Sequence, residues 1–396
     1  MRGNNLGGRQ GAAPRTPAQP LPAMITYDTG SMIKIICQLK GSVLLSVWPQ
    51  MAMCAGIAVL ATILRASIGE DDYIIKDVKG HATLGTALAF LNVFRSNLSY
   101  GRYWDGRGQL GVLVKSGREL MRLVVAYSKT PEEKEEEAEM QETIREVWRL
   151  ISCLMHSIVL AVQHFEGHHH VPEYDIDLEL VKPGWLKEKE KSAIEKAENV
   201  GRDVRDNKGR PALIAALLSH KVYYMYHRGW MNAAVLKKCD KCINEFVGAW
   251  MACEKIVGVP MVFPYTQMLS VFMVLFVYTF PFPLAHIFFN EEAEFNGFFI
   301  TPFISALVAF AFFGMNAVGV EIENPFGDDD NDLPIKKMMK RIELDTIAML
   351  ELRTTSDQAE AMEKLRSEKA EQEKLAQQKS RDRNALQGPP GRGFQG

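Results

Sequence analysis

The residue types best suited to chemistry in this chain lie in one run, Glu323-Asn324-Pro325-Phe326-Gly327-Asp328-Asp329-Asp330-Asn331-Asp332. Carboxylates packed this closely repel one another unless a cation or hydrogen-bond donors neutralise them. A hard cation such as Ca²⁺ takes about six to eight oxygen ligands, so the run reads as a cation site or as a solvated acidic loop. It is not an EF-hand. With Asp328 as the first position, Leu333 and Met339 stand where that loop needs its Gly and its last Glu. His164 and His168 are four apart and His169 and His170 adjoin them, but a metal there would need a further ligand in fixed geometry. Cys239 and Cys242 form a lone C-x-x-C in a helical pattern with no second pair, which argues against zinc. The six cysteines are scattered along apolar or helical stretches and read as reduced thiols. A phosphate-binding glycine loop and a nucleophile elbow are both absent from the sequence, so an enzyme is a weak reading.

The elements around the acidic run give it a place. It follows Phe298 to Val320, 23 residues without Asp, Glu, Lys or Arg. An α-helix needs ~20 such residues to cross a bilayer. Pro325 cannot continue a hydrogen-bonded helix and Gly327 tolerates backbone angles closed to other residues, so a tight turn is expected at the membrane surface. Val43 to Leu64 and Gln267 to Phe289 are further uncharged runs of spanning length. His81 to Phe94 has only 14 residues, a rise of ~21 Å as a helix, and is read as a span completed by its continuation. A net charge of −2 and a mean hydropathy of −0.09 conceal these runs, because they average very apolar with very charged stretches.

Charge sets the orientation. Arg2, Arg9, Arg15, Lys34 and Lys40 precede the first run, and Arg95, Arg102 and Arg107 follow the second. The two short loops on the opposite side carry Glu70, Asp71, Asp72 and Asp77, and Glu291, Glu292 and Glu294. Positive flanks favour the cytoplasmic side, so both termini and the middle segment are expected inside. The fold class is all-α: four membrane helices, about 43–64, 81–94, 267–289 and 298–320, extended by a cytoplasmic helical bundle over 95–266. Helices are expected over Gln109–Tyr127, from Thr130 to Phe165, over Ala212–Tyr226, Met231–Val257 and Ile335–Leu352. Residues 1–30 read as a disordered tail or a targeting segment, 31–334 as the main domain, and 335–396 as a helix followed by a charged, Gln-rich tail.

One segment has the composition of a pore helix. The second span mixes small and apolar residues in adjacent stripes, Thr83, Ala87 and Leu91 beside Leu84 and Leu88. Several copies around an axis would form a narrow apolar neck that gates by dewetting. Arg95 and Arg102 lie just inside, where positive charge attracts anions, and no carboxylate falls within any span. The competing reading is ordinary helix packing, with both arginines as interfacial anchors.

Three motifs then carry a resemblance. Phe94-Arg95-Ser96-Asn97-x-x-Tyr100-x-Arg102-Tyr103-Trp104-Asp105-Gly106-Arg107 resembles the segment after the pore helix of the bestrophin family, closest to its plant, algal, fungal and bacterial branch. Cys253-Glu254-Lys255-Ile256, with Val259-Pro260 and Phe263-Pro264-Tyr265-Thr266, is similar to the segment entering the third membrane helix. Glu323-Asn324-Pro325-Phe326-Gly327 and Asn331-Asp332-Leu333-Pro334 resemble the segment leaving the fourth. The resemblance covers roughly residues 30 to 350. It implies a homopentameric anion channel in a lipid bilayer, conducting chloride or bicarbonate, without nucleic acid and with no required cofactor. It implies a second constriction near Ala212 to Leu218, for which Leu217 is the candidate. It also implies a calcium clasp, whose oxygens here would come from Asn324, Asp328, Asp329 and Asp332. Against the clasp, Asn331 interrupts the acidic run, and Asn331-Asp332-Leu333-Pro334 resembles the branch in which a clasp is not general. A membrane-anchored scaffold that recruits partners through its helical domain is the alternative. The choice between plasma membrane and chloroplast or thylakoid membrane stays open.

Overall fold

The computed structural model describes residues 25, 27–68, 73, 78–131, 133–163, 180, 184–198, 210–289, 294–327, 329–354 and 367. Among these residues there are eleven helices and no strand. They are α1 (Met32–Cys37), α2 (Leu44–Ile68), α3 (Lys79–Tyr127), α4 (Lys134–Gln163), α5 (Glu188–Glu198), α6 (Arg210–His227), α7 (Ala233–Gly258), α8 (Phe263–Thr279), α9 (Pro281–Phe288), α10 (Glu294–Glu321) and α11 (Ile335–Thr354).

Two layers share one long helix. The apolar layer contains α2, the first part of α3, α8 with α9, and α10, and α2 packs along α10. Its small core holds Cys54, Leu88, Leu269, Met273, Phe276, Val277 and Ala309. Its outer faces are apolar and exposed, as at Leu60, Leu275 and Phe303, which suits hydrocarbon as solvent. Gln267–Phe289 does not form one helix. It breaks at Phe280, because Pro281 has no amide to donate into the preceding turn, and α8 starts earlier, at Phe263.

Helix α4 is also long and apolar enough to cross a membrane. However, 67% of its apolar window is buried inside the protein, against 28% for α2 and for α10. Its apolar side is spent on protein neighbours, and its first turn carries Glu135, Glu136 and Glu137 at the positive end of the helix dipole. It is the central helix of a second, bundle-like layer with the inner part of α3, α6, α7 and α11. Ile144, Ile151 and Leu154 of α4 meet Leu113, Leu120 and Val124 of α3, Ile214 and Leu218 of α6, and Phe246 of α7 in one core. Each such side chain contributes about 1.5–3 kcal/mol on burial.

Local chemistry sets the helix ends in this layer. Gly229, at φ +77, closes α6 in a conformation that favours glycine, and the Trp230 amide donates to the Met225 carbonyl at 3.0 Å. The Asn232 side chain accepts from the Val235 amide at 2.9 Å and starts α7. The Lys129 amide donates to the Trp230 carbonyl at 2.7 Å, so the end of α3 lies against the beginning of α7.

Candidate functional site

The orientation of α3 decides which side chains face outward. Gly85 lies against the ring of Phe276 on α8, where a Cβ would come within 2.8 Å of a ring carbon. This close approach turns one face of α3 inward. Leu88 is 1% exposed in the apolar core, and Leu84 and Leu91 pack against the same cluster. Leu88 is thus wholly used in packing within the subunit, and Leu84 and Leu91 partly so. Thr83 and Ala87 are exposed, with the Thr83 hydroxyl donating to the Lys79 carbonyl. The face opposite the core carries Thr86, Phe90, Val93 and Asn97, all exposed, and Phe90 is exposed to 71%. Phe94 sits on the flank, edge-on to Tyr265 at 6.2 Å between ring centres. The Tyr265 hydroxyl donates to the Leu91 carbonyl at 2.7 Å, tying α8 to α3.

The two arginines of the α3 motif are both engaged. Arg95 is 4% exposed. Its guanidinium donates to Asn316 Oδ1 at 2.6 Å and pairs with Glu323 at 3.5 Å. The other oxygen of Glu323 accepts from the Met261 amide at 2.8 Å. Arg102 donates to the carbonyls of Glu323 at 3.2 Å, Val259 at 2.6 Å and Ile256. It thereby caps the C-terminal ends of α7 and α10, where carbonyls lack helical partners and carry partial negative charge. Arg95 and Arg102 are thus anchors that join three helices, and the charge of Arg95 is balanced by Glu323. Glu323, read from sequence only as the start of the acidic run and motif, is the central partner of Arg95, a role for which the sequence carried no local signal.

That turn is seated on α3. Phe326 is fully buried, and a Cβ at Gly106 would come within 2.9 Å of both the Phe326 ring and the Pro325 ring. The Leu333 amide closes the turn onto the Pro325 carbonyl at 3.0 Å, and the Tyr103 hydroxyl donates to the Asn331 carbonyl at 3.3 Å. Burial, and then the nearby Asp332 carboxylate, push the Tyr103 hydroxyl above its usual pKa. Asn331 donates to the Gly41 carbonyl at 3.2 Å and to Glu321 at 3.3 Å, and Lys40 pairs with Asp330 at 3.3 Å. The segment before α2 is therefore joined to the turn by a carboxamide and an ammonium.

Three of the four residues assigned to calcium, Asn324, Asp329 and Asp332, lie among the described residues. Asp332 is buried, and one of its oxygens accepts from the Asp329 amide at 2.7 Å. Asn324 accepts from the Phe326 amide at 3.4 Å, and Asp329 is exposed. Among the described residues no three His, Cys, Asp or Glu side chains converge on a metal position. Asp328 lies outside the described residues, as do His164, His168, His169 and His170. Leu217 is partly buried and packs against the bundle core. Cys239 and Cys242 are buried free thiols, and burial pushes Cys239 up to about 12.

Comparison with known proteins bears on this architecture. The bacterial/fungal bestrophin protein family matches residues 24–348. A voltage-dependent anion channel-forming protein of Nostoc sp. is 27% identical over 305 residues, covering 76% of this chain and 86% of that protein. One of Escherichia coli K12 is 25% identical over 267 residues, covering 67% and 74%. A mutant of a bacterial bestrophin homolog from Klebsiella pneumoniae shares the fold, with a TM-score of 0.63 at 21% identity over 78% of this chain and 98% of that one. The matches point to a channel and not to an enzyme. The chain is an integral, multi-pass membrane protein of all-α fold, and it belongs to the bacterial/fungal bestrophin family.

Proposed function

We propose that this chain is the subunit of an anion channel, a homopentamer in which five copies of α3 surround the conduction path. The observation that carries the reading is the unpartnered outer face of α3. One side of this helix is packed into the subunit, while Thr86, Phe90 and Val93 on the other remain open. In lipid alone such a face would be unremarkable. Here the polar Asn97 continues it, and the helix runs on unbroken into the bundle, as a path from membrane to cytoplasm requires. Fivefold repetition would bring Thr86 and Phe90 into rings and make an apolar constriction that opens by wetting. The bundle and both termini lie on the cytoplasmic side in this arrangement, with chloride and bicarbonate as the conducted ions. Small monovalent anions cross such a ring by partial dehydration, without a chemical step.

The test is reconstitution of purified protein into liposomes under a potassium chloride gradient. A reversal potential near that of chloride supports the reading, and one near that of potassium overturns it. The assembly is tested separately by mass measurement in detergent, where five times the subunit mass of 44.5 kDa is expected.

A further inference from the structure

Beyond Arg95 and Arg102, which are held at the helix junction, positive charge for an anion path has a second source. Helix α3 shows where. It is continuous from Lys79 to Tyr127. Lys115 follows Phe90 by 25 positions, about seven turns, so the two point within about 20° of each other and lie ~37 Å apart along the axis. Burial agrees with this register. Leu113, Gly117, Leu120 and Val124 face the core, while Lys115 stands open, its side chain 71% exposed.

Helix α7 runs antiparallel beside this stretch. Its start meets the end of α3 through Trp230 and Lys129, and its end meets the middle of α3 through Arg102. It brings Lys238 and Lys241 to the same surface. Lys115 and Lys241 approach the two oxygens of Glu245 at 3.7 and 3.8 Å, and Ser116 donates to Glu245 at 3.4 Å. Arg122 forks Glu119. The Arg122 hydrogen bond, with a smaller opposing effect of burial, and then the charges of Lys115 and Lys238, hold the Glu119 carboxyl below the usual range. Lys115, Arg122, Lys238 and Lys241 thus stand against Glu119 and Glu245, four cations to two carboxylates. Lys237 and Asp240, both exposed next to them, add one charge of each sign.

We infer that Lys115 and Lys241, with Lys238, form the anion-concentrating surface of the cytoplasmic vestibule, set ~37 Å inward of the Phe90 ring. The inference rests on the channel reading above and names the residues that would give that channel its charge preference. A wide vestibule does not strip ions of water. It acts by raising the local concentration of chloride over potassium, through the summed field of the repeated clusters. Such a field is long-ranged in dilute salt, where the Debye length is ~30 Å at 0.01 M, and collapses to ~3 Å at 1 M. The acidic partners do not cancel it, because two positive charges per subunit remain.

The experiment compares chloride conductance at ~0.01 M and ~1 M salt for reconstituted wild type, Lys115→Gln with Lys241→Gln, Lys115→Arg with Lys241→Arg, and the distant control Lys189→Gln on α5. The double Gln variant is expected to lose about tenfold of its conductance in dilute salt and less than about twofold in concentrated salt. The Arg variant and the α5 control are expected to follow wild type at both. Each variant is first confirmed as the same assembly by size-exclusion mass, so a folding defect is read separately from a field effect. An anion-selective wild type whose double Gln variant keeps both conductances overturns the vestibule assignment alone. Equal losses at both salt concentrations also overturn it, since a field effect must be screened. A wild type without anion current overturns the channel reading and this inference with it.

Discussion

Replacing Arg95 by Leu tests the central anchor. The Arg95 and Glu323 side chains are 5% and 17% exposed, so the pair is largely removed from water. Deleting the cation leaves Glu323 charged and buried, and leaves Asn316 without its donor. Breaking a buried pair in this way costs about 3–5 kcal/mol. The lower end applies, because the Met261 amide still donates to Glu323 at 2.8 Å. At about 2 °C per kcal/mol for a large chain, the melting temperature of the purified protein in detergent should fall by ~6 °C. A second variant separates charge from packing. Glu323→Gln added to Arg95→Leu removes the stranded carboxylate and keeps an oxygen for the Met261 amide. It should recover at least half of the loss, giving a coupling of ~1.5 kcal/mol or more in the double-mutant cycle. Additive losses would refute the reasoning, as would an Arg95→Leu protein melting within ~1 °C of wild type. Either result would mean that Arg95 is solvated in the assembled protein and available to ions after all.

Three further outcomes follow from the same packing. Phe90→Ala should raise resting anion conductance without changing the melting temperature by more than ~2 °C, whereas Leu88→Ala should leave conductance near wild type and cost about 2–5 kcal/mol of stability. Gly106→Ala should lower the melting temperature by several degrees, because its Cβ collides with Pro325 and Phe326 and lifts the turn off α3; a neutral result would show that the turn is not seated there. His156, stacked on Trp185 at 5.2 Å between ring centres, has its pKa lowered mainly by burial. A depressed folded pKa means that its contribution to stability is complete above the unfolded value of ~6.5 and is lost as pH falls below it. Melting at pH 7.5 and 5.5 should therefore show an acid loss that His156→Gln removes.

What could be read from sequence followed the strength of local signals. Uncharged runs of spanning length located α2 and α10, because lipid leaves a helix no other composition. Apolar periodicity located α6 and α7 to within a few residues. The break at Phe280 was hidden inside an uncharged run whose hydropathy does not register Pro281 as an end. The length of α3 was hidden for the opposite reason. Arg95, Arg102 and Arg107 interrupt its hydropathy, though not its hydrogen bonding.

The face of α3 and the role of its arginines lay beyond local reading, for a common physical cause. Thr83, Ala87 and Leu91 differ little in polarity from Thr86, Phe90 and Val93, so either stripe could face a pore. Phe276, roughly 190 positions away in sequence, closes on Gly85 and sets which side of α3 is packed, leaving Thr83 and Ala87 exposed along with Thr86, Phe90 and Val93. Likewise, the type of Arg95 specifies a positive charge but not what neutralises it. Asn316 and Glu323 stand more than 200 positions later. A lysine at Arg95 would carry the same charge, but it lacks the planar fork that reaches Asn316 and Glu323 together. An arginine in such a motif is therefore as good evidence for a fixed helix junction as for an anion site.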